Sequence, residues 1–296
     1  MQSAALNYKL IRKIKDERFD VDLINEYELL IHIGARDLQV GVVDTREDRL
    51  LLLEDFVFPS LRSQQELQEV LIQLFDDHDL LTAGFWKQIT ISFKNNRFAQ
   101  VPEILFVEES RHEYLRLNAR FDPEKDLIRS VSSKRAGAVT VFSIPRDFEA
   151  WFSQLYPRVP VTYIHQSAVL IEGVIEVSRK KKDNPLYIYV DRFKLHIIAA
   201  REGKLIYYNQ FVIKQFSEYI KYIMLVMKTL RMPQESSQVV LWGYIGRNSP
   251  HYQEFLRYIN NVVFGDRPKF LKYAYMFDEV QDHHFFDLYN MYLTGR

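Results

Sequence analysis

The chain has 296 residues, 39 basic and 39 acidic for a formal net charge of zero, with 47% hydrophobic and 14% aromatic residues and no cysteine. That composition excludes disorder, and the missing cysteine excludes disulfides, thiolate catalysis and cysteine-ligated zinc or iron–sulfur centres. Balanced charge argues against nonspecific nucleic-acid binding, and the length suggests about two domains.

No stretch reaches the ~18 apolar residues that span a bilayer. The first residues, Met1 to Asp22, carry Lys9, Arg12, Lys13, Lys15 and Arg18 without a signal-like apolar run, so a cytoplasmic protein is expected. Leu29–Gly34, Leu38–Val42 and Leu50–Val57 read as three successive strands joined by short turns, an antiparallel meander. Ser63 and Glu66 then form a capping box, followed by Leu67, Val70, Leu71, Leu74 and Phe75 at helical spacing. Lys87–Phe93 is a further strand. Residues 94–136 are polar and irregular, with Pro102 and Pro123, and read as a small inserted subdomain.

Ala138–Ile144 resumes a strand pattern, and Pro145 opens a helix bearing Phe148, Trp151, Phe152 and Leu155. Val161–Ile164 is a short strand and Ala168–Val177 an apolar helix capped by Ser167. The RKKKDN segment at 179–184 reads as a solvated connection. Beyond it lie strands at Leu186–Val190, Phe193–Ala200 and Lys204–Val212, then a helix with Phe216, Ile220, Ile223, Met224, Met227 and Leu230 on one face. Val239–Trp242 is a strand, and Ser249-Pro250 caps a helix carrying Phe255, Leu256, Ile259 and Val263. Asp282–Leu293 forms a closing helix.

The second series repeats the first. Leu38, Val40 and Val42 fall on Leu195, Ile197 and Ala199, each 157 positions on. Leu50, Leu52, Phe56 and Val57 fall on Leu205, Tyr207, Phe211 and Val212, each 155 positions on. Order and spacing point to a duplication. The expected fold class is therefore α/β, two β-β-β-α-β-α halves at 1–184 and 185–296 around a central cleft, where ligands commonly bind. The ten glycines include no G-x-G-x-x-G and no Walker loop. No G-x-S-x-G or H-E-x-x-H motif is present, and His283-His284 lack a third ligand nearby.

With this architecture the chain resembles the actin-like ATPase superfamily, which shares the duplicated ribonuclease-H-like fold. More narrowly it resembles an uncharacterised bacterial family of unknown function related to actin-like proteins of type IV pili and cell division. VPEILF at 101–106, AVTVFSIP at 138–145, LIYYNQF at 205–211, LWGYIG at 241–246 and HHFFDLYN at 283–290 carry the likeness. Active relatives use two D-x-G phosphate loops. The resemblance places His32-Ile33-Gly34 at the first, keeping the glycine and losing the acid. At the second it places Asp191-Arg192-Phe193, keeping the acid and losing the glycine. Sliding the second frame by two, as the repeat prefers, puts Tyr189 at the acid and Asp191 at the glycine. Gln166 matches the water-positioning residue between the halves. Leu241-Trp242-Gly243-Tyr244 matches the adenosine loop, with Tyr244 in place of its second glycine.

His32, Gly34, Gln166, Asp191 and Gly243 thus outline a degenerate nucleotide cleft. A neutral imidazole does not replace a hard carboxylate ligand for Mg²⁺. The expectation is a non-catalytic scaffold or adaptor with no cofactor. Pilus relatives bind a short partner peptide in a groove of the first half, so the 94–136 insertion and the neighbouring cleft surface are the expected docking area for a protein or peptide. Nucleic acid is not an expected partner; self-association is compatible with the sequence. The alternative is a nucleotide-binding ATPase or small-molecule kinase that uses Mg-ATP and Asp191.

Overall fold

The computed structural model describes residues 8–294 apart from 62, 180, 182, 193, 214 and 216. Phe193 and Phe216, placed above in a phosphate loop and on a helix face, lie outside the described residues.

The chain opens with strand β1 (Lys9–Lys15), then β2 (Tyr27–Ile33), β3 (Asp37–Asp44) and β4 (Arg49–Val57). The last three form the expected meander, with every residue of β2 and β3 buried. β1 was not foreseen. It pairs antiparallel with β4 at the sheet edge and, on its own length, buries only Ile14, so it shows no apolar alternation. Helix α1 (Gln64–Asp76) starts where the capping box put it: the Ser63 hydroxyl accepts the Glu66 N–H at 3.1 Å. Leu67, Val70, Leu71, Leu74 and Phe75 are its buried face. A single turn, α2 (Asp79–Thr82), leads to β5 (Gln88–Phe93), which pairs parallel with β2.

Strand β6 (Phe98–Pro102), helix α3 (Arg111–Asn118), β7 (Asp126–Ser133) and β8 (Ala138–Pro145) form a separate three-stranded sheet, ordered β6-β8-β7. Ala138–Ile144 is therefore the centre of this small sheet, not a return to the large one. Its alternate faces pack two ways, which explains the continuous apolar run. Val139 and Val141 meet Leu115 of α3, while Phe142 and Ile144 join the core of the first sheet. Helix α4 (Arg146–Leu155) buries Phe148 and Phe152, and β9 (Val161–His165) completes the first sheet as β1-β4-β3-β2-β5-β9.

Helix α5 (Gln166–Ser178) is capped one residue away from the expected cap. His165, not Ser167, is the N-cap, and its Nδ1 accepts the Ser167 N–H at 3.1 Å. The other ring nitrogen, Nε2, donates to the Asn95 carbonyl at 3.2 Å. The imidazole is thereby fixed as the neutral tautomer, consistent with a pKa that burial drives well below the usual histidine value.

The second sheet is built from β10 (Leu186–Val190), β11 (Lys194–Arg201) and β12 (Lys204–Val212), then helix α6 (Ser217–Thr229), β13 (Val239–Gly243), helix α7 (Pro250–Tyr258) and β14 (Val262–Phe264). Ser249 caps α7 by accepting the Tyr252 N–H at 3.1 Å. Phe255 and Ile259 are buried there, but Leu256 and Val263 face solvent. The sheet order β12-β11-β10-β13-β14 matches β4-β3-β2-β5-β9 strand for strand. Directions match too: the meander pairs are antiparallel and the remaining two pairs parallel in both sheets. The duplication read from spacing is thus a duplication of topology.

The chain closes with α8 (Phe286–Met291), shorter than the expected helix because 282–285 form turns. α5 and α8 lie between the sheets. Val169 and Leu288 pack on Leu30, Val43 and Leu53 of the first, and Leu170, Val174 and Phe286 on Tyr187, Tyr189 and Trp242 of the second.

Candidate functional site

The register fixes which residues of the two halves correspond. Ile33 pairs with Leu38 across β2–β3, and Val190 with Leu195 across β10–β11. The following turns close the same way: the Gly34 N–H donates to the Asp37 carbonyl at 2.8 Å and the Asp191 N–H to the Lys194 carbonyl at 2.9 Å. His32 therefore corresponds to Tyr189, Gly34 to Asp191, and Asp37 to Lys194. Of the two frames for the second loop, this geometry matches the one with Asp191 at the glycine position. The next strands agree. The Lys94 N–H donates to the Ile33 carbonyl at 2.8 Å and the Tyr244 N–H to the Val190 carbonyl at 2.7 Å. Lys94 and Tyr244 are thus counterparts at the ends of β5 and β13, the carboxyl ends where ligands bind in open α/β sheets.

These strand ends converge on a buried charge cluster. The Lys94 ammonium, on a residue 3% exposed, lies 2.9 Å from the Asp37 carboxylate and 3.9 Å from both Asp191 and Asp287. Arg192 reaches across from the second sheet to Asp37 at 2.9 Å and Asp55 at 2.5 Å, with its guanidinium 4.3 Å above the Tyr244 ring. The Tyr244 hydroxyl accepts from the Gln39 amide at 2.6 Å. The side-chain amide of Gln166 donates to both Asp191 and Asp287 at 3.0 Å, and His32 Nε2 lies 3.0 Å from the same Asp287 oxygen.

Burial alone would neutralise such groups; here they hold one another charged. Burial pushes Lys94 down, but Asp191, Asp37 and Asp287 overcome it and its pKa ends above the usual lysine value. Burial pushes Asp287 up, yet the His32 hydrogen bond and the Lys94 ammonium hold it below the ordinary carboxylate range. Asp191 is likewise depressed, Lys94 outweighing burial and the Asp287 charge. His32 is driven down by burial and Lys94 and is therefore neutral at pH 7, donating from Nε2 to Asp287. His32 Nδ1 and Gln166 Oε1 are buried without a hydrogen-bond partner.

The glycine of the first loop is covered by the protein itself. A Cβ built on Gly34 would fall 1.7 Å from Asp37 Oδ1, so the hydrogen-only side of this residue is occupied by that carboxylate. Gly243 sits at φ +95°, a conformation open to glycine, and its Cβ would meet the Val190 carbonyl at 2.1 Å. Its backbone turns β13 into Tyr244, which lies over Arg192. Of the five residues expected in the cleft, His32 and Gln166 meet at Asp287, and Gln166 also donates directly to Asp191. Gly34 shapes the adjoining turn; Gly243 acts through backbone only.

Lys94, Asp287, Asp37, Asp55 and Arg192 carry most of the charge, and sequence reasoning missed them as a group. The signal was present for Lys94: extending the repeat by one strand aligns it with Tyr244. Among the described residues no cluster of three or more His, Cys, Asp or Glu side chains is arranged to hold a metal ion. His283 donates from Nε2 to the Ile245 carbonyl at 2.6 Å and packs on Phe264.

Beside the cluster a cavity of about 430 Å³ opens between the Gly34–Arg36 turn, the start of α1, residues 94–97 and Lys194. No described helix is long and apolar enough to cross a membrane.

A family profile described as "Protein of unknown function (DUF3822)" matches residues 16–262. No curated protein matches the chain. Among solved structures, a Bacteroides thetaiotaomicron protein with actin-like ATPase fold and unknown function superposes with a TM-score of 0.74 at 23% identity, covering 83% of this chain and 93% of that one. The PilM–PilN type IV pilus biogenesis complex superposes with a TM-score of 0.61 at 13% identity, covering 90% of this chain and 97% of that one. These likenesses establish an actin-like ATPase fold.

Proposed function

The chain belongs to this family of unknown function, DUF3822, and we propose that it is a non-catalytic member of the actin-like fold that binds a segment of a partner protein. The observation that carries the reading is the Lys94 ammonium among Asp37, Asp191 and Asp287. Phosphoryl transfer needs phosphates held by backbone N–H groups and a divalent cation to neutralise charge as it develops. A cation brought to Asp191 and Asp287 would meet Lys94 instead of free carboxylates. At ~4 Å and an effective dielectric near 20, two unit charges interact by about 4 kcal/mol, so the repulsion is not small. A phosphate brought to Gly34 would meet the Asp37 carboxylate. The residues present do not fit Mg-ATP.

Partner binding is supported by the open cavity beside the cleft, walled in part by the ends of the small sheet at residues 96–97, Ser143 and Pro145. One protein of this fold occurs in the PilM–PilN complex, so the architecture is compatible with holding a protein partner.

The test is the nucleotide content of freshly purified protein after acid release, with steady-state hydrolysis of Mg-ATP. The reading expects no stoichiometric nucleotide and no turnover above the buffer blank. One nucleotide per chain, or turnover lost in Asp191→Asn, would replace it with the ATPase or kinase reading.

A further inference from the structure

The 430 Å³ cavity beside the cleft is of ligand-binding size, and the charged side chains on its walls are all cations. Leu61, Leu67, Phe93 and Phe148 give it apolar surface. Arg36, Lys94, Arg97 and Lys194 bring cations to the same walls, and no aspartate or glutamate lines any part of it.

Lys194 is the unusual member. Its ammonium donates to the Lys94 carbonyl at 2.5 Å, and among the described residues no carboxylate lies within ion-pair distance of it. The repeat shows why. Lys194 corresponds to Asp37, and Asp37 is already engaged by both Lys94 and Arg192. Burial, only partly offset by Asp191, pushes the Lys194 pKa down to about 8, the behaviour of an ammonium short of a counter-ion. A half-buried cation without a carboxylate partner, on a wall that also carries apolar side chains and no acid, favours an anionic group that brings apolar surface with it.

We infer that this cavity receives an extended segment of a partner protein in which an Asp or Glu lies beside a branched aliphatic residue, the carboxylate meeting Lys194 and the aliphatic side chain packing on Leu67 and Phe148. The inference rests on the partner-binding reading above and adds the chemistry of the partner. Charge complementarity is its basis, since a neutral or basic segment would leave Lys194 half-buried without its counter-ion.

A phage-displayed library of random dodecapeptides panned on the full chain tests it, followed by fluorescence polarisation of the enriched peptides with capped termini. Enriched peptides should share an acid next to Leu, Ile or Val. Replacing that acid by its amide should weaken binding at least about tenfold, the scale of one charge-assisted contact. Lys194→Met should abolish the difference between acid and amide peptides, and Ala35→Trp, at an exposed position on the rim, should block both. Raising salt should weaken the acid peptide more than the amide one. An enriched consensus that is neutral or basic, or an acid preference that survives Lys194→Met, overturns the inference and leaves partner binding standing. No enrichment overturns both. Octanoate stabilising the fold through Lys194 while no peptide binds would assign the cavity to a small carboxylic acid and overturn the peptide proposal.

Discussion

Replacing Lys94 with methionine keeps the length of the side chain and removes the charge on which three carboxylates converge. Asp37 retains Arg192, but Asp191 and Asp287 are left with neutral donors, the Gln166 amide and the His32 ring. Breaking a buried pair by removing one partner costs about 3–5 kcal/mol, because the remaining charge is neither solvated nor paired. An unfolding entropy of about 2.1 cal/mol/K per residue gives roughly 0.6 kcal/mol/K for a chain of this size. The melting temperature should therefore fall by about 5–8 °C. Calorimetric melts of Lys94→Met, Asp287→Asn and the double variant form the assay. In the double variant one of the uncompensated carboxylates is gone, so its loss should be smaller than the sum of the single losses by about 1 kcal/mol or more. A Lys94→Met loss below about 1 kcal/mol, or strictly additive losses, would refute the argument that this ammonium holds the cleft together.

Gly34→Ala should push the Asp37 carboxylate out of place, since the new methyl falls on Oδ1, and cost about 2–4 kcal/mol in urea unfolding. Acid should weaken the fold through Asp287 and Asp191: with folded pKa values depressed, their contribution is complete above the unfolded value of ~4 and is lost as pH falls through the folded values. Urea midpoints should be flat in that respect from pH 7 to 5 and drop below ~4. Lys194 has the opposite consequence. Its folded pKa of about 8 lies below the unfolded ~10.4, so the unfolded chain binds more protons between them and stability from this group rises with pH across that interval. Lys194→Met should therefore flatten that rise, read as the difference between urea midpoints at pH 7 and pH 10. Arg192→Gln should loosen the contact between the sheets, seen as faster amide hydrogen exchange at 34–38 and 190–195, because Arg192 binds both Asp37 and Asp55 from across the cleft.

The repeat was legible because buried meander strands impose alternation, and Leu38–Val42 and Leu195–Ala199 keep it in register. Both helix starts with a serine cap, at Ser63 and Ser249, were legible because capping is local chemistry. Three other features were not. β1 is an edge strand with one buried side chain, so nothing in its pattern marks it. β8 reads like a strand of the main sheet because it too is buried on both faces, one by α3 and one by the first sheet's core. The charge cluster is assembled from single residues far apart in the chain, as with His32 and Asp287, 255 positions apart. Asp191 drew attention as a remnant acid; its position in the turn makes it the counterpart of Gly34, and its role is to pair with Lys94 and Gln166.

Isothermal titration of Mg-ATP into the purified full chain tests the central claim, that the cleft's own ammonium, guanidinium and carboxylates occupy the place of nucleotide and metal. The account predicts no saturable heat at millimolar nucleotide, in the native protein and in Asp191→Asn alike. One-site binding with Kd below ~100 μM (about 5.5 kcal/mol of binding free energy) that is lost in Asp191→Asn would contradict it.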